Sequence, residues 1–259
     1  MLLLLDLGNT NLFVGVYRKR SLVCSFRTYS DKTKSSFEYQ EILYQFLKNN
    51  NLDLDQFEGA ILSSVIPSLT RKVALAASSL LNKECKVLGN QLKCGLSIRI
   101  DNPQELGSDL VADSVGALTN HVDEDLLIVD LGTATKFLYV SKDKVFHGCS
   151  IAPGIKVSFE SLWKNAAQLT DIDLEAPSKI IGKNSFDSMN SGVVFGEVAL
   201  ILGLSKAIEK EVNKPLKKIV TGGNAIFVKN LLGSSFSYEP NLILDGLYDI
   251  YMKNNKRGN

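Results

Sequence analysis

Histidine is almost missing from this chain. Only His121 and His147 occur among 259 residues, and the four cysteines show no C-x-x-C spacing, so the usual soft-ligand set for zinc is not available. Cys24, Cys85, Cys94 and Cys149 are therefore expected to be reduced thiols in a reducing compartment. An excess of charge is missing too: 29 Lys and Arg stand against 28 Asp and Glu, and the basic residues are spread along the chain, so no nucleic-acid partner is expected. The one basic cluster, Lys253 to Arg257, lies among Asn and Gly and is expected to be a solvated tail. The opening run Met1 to Leu5 meets Asp6 at once, with neither a basic leader nor a small-residue cleavage site. It is expected to be a buried first strand rather than a secretion signal or a membrane span, in a cytoplasmic protein with no membrane partner. What the chain does have is core material, since 45% hydrophobic against 22% charged residues can fill one large core or two moderate ones.

The chain also repeats itself once. Leu2 to Tyr17 read LLLLDLGNTNLFVGVY and Leu126 to Ser141 read LLIVDLGTATKFLYVS. In register, Asp6 falls on Asp130, Leu7 on Leu131, Gly8 on Gly132, Phe13 on Phe137 and Val16 on Val140. Each copy predicts a hairpin: a buried strand, a tight polar tip, and a second strand. In the first half Ser21 to Tyr29 predicts a third strand, Phe37 to Leu47 a helix, Gly59 to Val65 a strand ended by Pro67, and Leu69 to Leu81 a helix. In the second half a strand is predicted near Lys144 to Ser150 and a turn at Ala152, Pro153 and Gly154. A long helix from about Phe186 to Val212, strand Lys218 to Thr221 and another helix follow. Strands alternating with helices predict an α/β protein of two duplicated domains, 1–120 and 121–259, with a helix from about Ser108 to Asn120 between them.

Asp6, Gly8, Asn9, Thr10 and Asn11 form the first tip. Gly8 allows close backbone approach, the tip donors suit phosphate oxygens, and an acid at a strand end can hold hydrated Mg²⁺. An ordinary hairpin turn has the same composition. The second copy, at Asp130, Gly132, Thr133 and Thr135, favours chemistry, because two tips facing one cleft would clamp a polyphosphate. Thr221, Gly222 and Gly223 close a strand and open a helix, a flat surface suited to a purine but also an ordinary turn. In Gly107-Ser108-Asp109-Leu110, Ser108 is placed as an N-cap and Asp109 in the first turn, either as a dipole-stabilising acid or as a base accepting the proton of an attacking hydroxyl. Asp113, one turn later, is expected in solvent. Ser191, Gly192 and Gly196 predict close helix packing, across a dimer among other options, and Trp163 is expected to pack half-buried.

These motifs occur in the order found in type III pantothenate kinases, which the chain resembles over nearly its whole length. The matching segments are DLGNT at Asp6, SVIPS at Ser64, DNPQELGSDL at Asp101 and DLGTAT at Asp130, then IAPG at Ile151, Ser191-Gly192, TGG at Thr221 and NLILDGL at Asn241. The resemblance implies duplicated actin-like (ribonuclease H-like) domains, each a mixed sheet with flanking helices. It also implies a homodimer that phosphorylates pantothenate with ATP, the first step of coenzyme A synthesis, using Mg²⁺ and a monovalent cation, K⁺ or NH₄⁺. Carried over by residue, Asp109 is the base and Asp130 the monovalent-cation ligand. Asp6, Leu7, Gly8, Asn9, Thr10, Asn11, Leu12 and Phe13, with Gly132, Thr133, Thr221, Gly222 and Gly223, fall on the ATP side. Ile100, Gly107, Ser108, Asp109, Leu110 and Ser185 fall on the pantothenate side.

The chain departs from the family pattern at four places. Leu110 stands where the family usually has Arg, Ile100 where it often has Tyr, and Ser185 where it has the substrate-side Thr. Lys136, Phe137 and Leu138 stand where it commonly continues Thr-Phe-Asp. Loss of a cation and a phenol on the acceptor side leaves open a kinase for another small alcohol, and also a nucleotide-binding regulatory homologue without catalysis.

Overall fold

The structure is a computed structural model that describes residues 1–89, 91–164 and 174–255. The side chains of Trp163 and Lys164 lie outside what it describes, as do Lys256 and Arg257 of the basic cluster. The apolar run before Asp6 forms β1 (Leu2–Leu7), which turns into β2 (Asn11–Arg18) and then β3 (Ser21–Tyr29). The chain continues through α1 (Ser36–Asn49), β4 (Gly59–Ser64), α2 (Pro67–Leu81) and β5 (Cys85–Val87), giving a five-stranded sheet in the order β3-β2-β1-β4-β5. β1 is central, antiparallel to β2 and parallel to β4, and is covered on both faces. That is why its sequence is a run of leucines rather than an alternation. Edge strand β3 does alternate between exposed and half-buried positions. One face packs Leu3, Leu5, Leu7, Val14 and Val16 against Tyr39 and Leu43 of α1 and Leu69 and Val73 of α2. α1 starts at a capping box between Ser35 and Glu38, and α2 starts at Pro67, where a missing amide costs nothing.

The second sheet runs β11-β10-β7-β8-β9-β6, with β6 (Ser97–Ile98) and β11 (Phe236–Tyr238) short edge strands. Its centre is the second hairpin, β7 (Leu126–Leu131) and β8 (Ala134–Ser141), extended by β9 (Val145–Pro153) and, in parallel to β7, by β10 (Lys217–Thr221). α3 (Ser108–Asn120) lies in the chain between β6 and β7. α4 (Ile155–Lys164) follows β9, and α5 (Ser185–Val212) buries Val194, Val198 and Ile201 against Leu127, Val129, Leu131 and Phe137. β9 stays paired with β8 as far as Pro153, so the turn expected at Ala152 to Gly154 shrinks to Gly154.

α6 (Leu242–Asn255) belongs with the first sheet, not the second. One compact unit is Met1–Ser97, Asp101–Asn120 and the chain from Leu242 onward; the other is Ile98–Ile100 with His121–Asn241. The division at residue 120 in the sequence thus differs from the units, and the cause is a close helix crossing. Gly246 of α6 lies so near the carbonyl of Ala112 in α3, and Gly116 so near the backbone of Leu242, that a Cβ on either would overlap main chain. Tyr17 Oη donates to Asp245 Oδ1 at 2.6 Å, and Arg20 grips both carboxylate oxygens of Asp249 at 3.0 Å.

Candidate active site

In the first unit the hairpin tip is small and pinned. Gly8 N donates to Asn11 O at 3.0 Å, Ser30 Oγ to Gly8 O at 2.6 Å, and Ser30 N to Thr10 O at 2.9 Å. Asn9 and Thr10 are exposed, with Gly8 and Asn11 half-buried, whereas Leu7, Leu12 and Phe13 are core residues. The side chains of those three point away from solvent, so any part they take in ATP binding is through backbone. Asp6 sits at the end of β1 beside Ser63 of β4, with its Oδ1 shut off from solvent.

Asp109 is brought to the same end of the sheet. The segment before it is shaped by Asn102, whose side chain caps a single 3₁₀ turn at Pro103–Glu105 and donates to Glu105 Oε1 at 2.8 Å. α3 then begins at Ser108. Its hydroxyl lies 3.0 Å from Ser63 Oγ, accepts from Ser64 N at 3.0 Å and donates to Ser64 O at 3.1 Å. Ser108 is thus the first helical residue, after Gly107, and bolts the helix start to the end of β4 instead of serving as the N-cap expected. Half-buried Asp109 follows in the first turn, where the helix dipole favours an anion, and its carboxylate lies back against the Cα of Gly107. The carboxyl ends of parallel strands are where α/β sheets bind ligands, and Asp6 and Asp109 both stand there. Leu110 is buried, 6% exposed, so the residue in the place of the family's Arg is turned into the core. Asp113 is a correction: it is 2% exposed on the buried face of α3, not in solvent.

The second unit repeats the tip with different supports. Gly132 N donates to Ala134 O at 3.0 Å, Gly154 N to Thr133 O at 3.1 Å, and Asn224 Nδ2 to Gly132 O at 2.8 Å. Thr133 is exposed. Thr221 pairs with Asp130 in the parallel β10–β7 ladder and is buried; Gly222 takes a φ of 91°, and exposed Gly223 opens a 3₁₀ helix, Gly223–Phe227, rather than an α-helix. Asp130 pairs with Lys136 Nζ at 2.8 Å. On the opposite face Thr135 Oγ1 donates to Glu197 Oε1 at 2.5 Å; Glu197 is 5% exposed, and burial raises its carboxyl pKa against the lowering effect of that bond. Ile100 is half-buried, and Ser185 is exposed at the first position of α5. Lys136, Glu197, Asn224 and Ser63 were not anticipated as site residues. Only Lys136 had a signal in the sequence, because counting back from a short tip places it opposite Asp130.

The profile of the family described as "Type III pantothenate kinase" matches residues 2–207. A type III pantothenate kinase of an Exiguobacterium species is 36% identical over 256 residues, covering 99% of this chain and all of that one. That of Exiguobacterium sibiricum is 35% identical over 254 residues, covering 98% of this chain and all of its own. The chain belongs to the type III pantothenate kinase family. Among solved structures, MreB 5 of Spiroplasma citri bound to AMPPNP superposes with a TM-score of 0.54 at 12% identity, over 99% of this chain and 97% of that one. The activator of 2-hydroxyisocaproyl-CoA dehydratase from Clostridium difficile, with bound ADPNP, gives 0.52 at 10% identity over 98% and 95%. At such identities the likeness shows the fold, which is the actin-like one, with two mixed sheets and flanking helices. Family membership makes the chain a kinase, a phosphotransferase that uses ATP and a divalent metal. Among the described residues no three His, Cys, Asp or Glu side chains gather into a metal cage.

Proposed function

We propose that this pantothenate kinase transfers the ATP γ-phosphoryl group with Asp109 as the general base. The carboxylate accepts the proton of the pantothenate primary hydroxyl as its oxygen attacks the γ-phosphorus; the bond from that phosphorus to the β–γ bridging oxygen breaks, and ADP leaves. The observation that carries this is the mounting of Asp109. A base must be held still, and here it stands at a helix start bolted to β4 through Ser108, with Gly107 behind it. In a loose transition state orientation and charge placement do most of the work. Mg²⁺, when bound with ATP, would neutralise phosphate charge, and Asp6 would be the carboxylate of the first tip that helps to hold it. For ATP we assign the exposed tip residues Gly8, Asn9, Thr10 and Asn11, with the backbone of Leu7, Leu12 and Phe13, and also Gly132, Thr133, Thr221, Gly222 and Gly223. For the acceptor we assign Asp109 with Gly107, Ser108 and the backbone of Leu110, and also Ile100 and Ser185.

ADP release by the purified chain with and without pantothenate tests the substrate, and Asp109→Asn tests the base. The variant should bind ATP as the wild type does while kcat falls by roughly 10²–10⁴. Unchanged turnover would remove Asp109 from this role, and ADP release with another alcohol alone would move the acceptor.

We also propose a cytoplasmic homodimer. All four cysteines are free thiols, in keeping with a reducing compartment. α5 is long and apolar enough to cross a membrane by length and composition, yet it is anchored by its stripe of core residues. Its outer side exposes Leu202, and Gly192, Gly196 and Gly203 have open space where a Cβ would stand, which suits close approach of a second copy. Light scattering on the eluted protein should give the mass of two chains, and Gly196→Glu should shift it to one.

A further inference from the structure

We propose that Lys136 is the resident cation of the second hairpin: its ammonium holds the place at Asp130 that a monovalent metal ion would take, so nucleotide binding and turnover by this chain do not require K⁺ or NH₄⁺. This rests on the assignment of the hairpin to ATP and departs from the family resemblance at the same point.

The pairing is built into the sheet. Asp130 and Lys136 are direct partners across the antiparallel β7–β8 ladder, so both side chains leave one face and meet without any reach along the chain. Nζ lies 2.8 Å from Oδ2, with the two side chains only 18% and 13% exposed. An exposed ion pair of this kind would be weak, but breaking a shielded one leaves a charge with lost solvent and no counter-charge. The other oxygen is walled by backbone. Gly222, at φ 91°, comes so close that a Cβ there would fall against Asp130 Oδ1 and the main chain of Leu131. An ion arriving from solvent therefore has to displace the ammonium, and the residues at Asp130 do not fit a separate monovalent cation.

Two of the departures from the family pattern point the same way. Where the pattern has Thr, whose hydroxyl is neutral, this chain has a fixed positive charge at Lys136. Where it has Asp two residues on, this chain has Leu138, 0% exposed and on the same face of the strand as Lys136. Relative to that pattern, one negative charge is lost and one positive charge is gained on the strand facing Asp130. A lysine suits this because its ammonium is a compact point charge with three donors, and unlike an ion it does not exchange with the medium.

The test compares KCl with choline chloride at equal ionic strength. For the wild type, the dissociation constant of a fluorescent ATP analogue, measured without acceptor, should differ by less than about fivefold between the two salts, the lower edge of ordinary coupling between two ligands. Pantothenate-dependent ADP release should be equally indifferent. In Lys136→Thr both quantities should become K⁺-dependent by more than about fivefold, with activity regained when K⁺ is supplied. A wild type that loses nucleotide affinity in choline overturns the proposal, as does a folded Lys136→Thr that stays indifferent to K⁺. If that variant does not fold, the wild-type titration decides by itself. Because the titration uses no acceptor, absence of turnover with pantothenate in either salt would count against the substrate and not against the internal cation.

Discussion

Gly107 cannot become larger without moving the base. A methyl group there would run into Asp109 Oδ1, so the carboxylate would have to swing aside, because Ser108, tied to both Ser63 and Ser64, keeps the helix start itself in place. Gly107→Ala is therefore expected to lower kcat by about 10²-fold through misplacement alone, with KM for ATP little changed, as steady-state kinetics will read. A drop in ATP affinity instead would put Gly107 on the nucleotide side. Glu197 gives a second prediction, in stability. Its folded pKa lies above the unfolded value of about 4.3, so between those two values the native state holds the extra proton and stability falls as pH rises. Glu197→Gln keeps an acceptor for Thr135 and removes the titration. Thermal unfolding from pH 4 to 8 should show the variant gaining on the wild type as pH rises, and a constant difference would mean that Glu197 does not titrate in that window. At this scale the acids were easy to read from sequence and their surroundings were not. Asp113 looked solvated because one acid in a helix usually is, and its burial depends on what packs over α3.

At the scale of elements, the α3–α6 crossing is the joint on which the first unit closes. Glycine inside a helix ordinarily costs about 1 kcal/mol relative to alanine, so relieving it should stabilise an isolated helix. Here the sign reverses, since any Cβ at Gly116 or Gly246 meets backbone of the facing helix. Gly246→Ala should destabilise by roughly 1–3 kcal/mol in urea unfolding, and stabilisation would mean that the helices do not approach so closely. The hairpins, α1, α2, α3 and α5 were legible because each carries enough residues for its apolar period to show. Strands β5, β6 and β11 were not, because two or three residues carry no period. α4 went unread because IAPG suggested only a turn, whereas β9 runs on to Pro153 and the helix starts two residues later.

For the whole molecule, the first unit is discontinuous and depends on the last helix of the chain. A chain ending at residue 241 loses the Tyr17–Asp245 and Arg20–Asp249 contacts and uncovers the α3 face that α6 closes. It should fail to unfold cooperatively, as circular dichroism on heating will show, although every residue assigned to ATP and to the base is retained. Sequence alone determined the duplication, the two Asp-Leu-Gly tips, the acid at the start of α3 and the family, because these reside in residue order and local period. The tertiary structure decided which acids are buried, that Lys136 meets Asp130, that Ser108 is fastened to β4, and that the C-terminal helix returns to the first sheet. The burial, the Ser108 fastening and the return of the last helix depend on partners far apart in the chain, which no local pattern of residues specifies; the Lys136–Asp130 pair depends on strand register, which the short tip suggests and the folded ladder fixes.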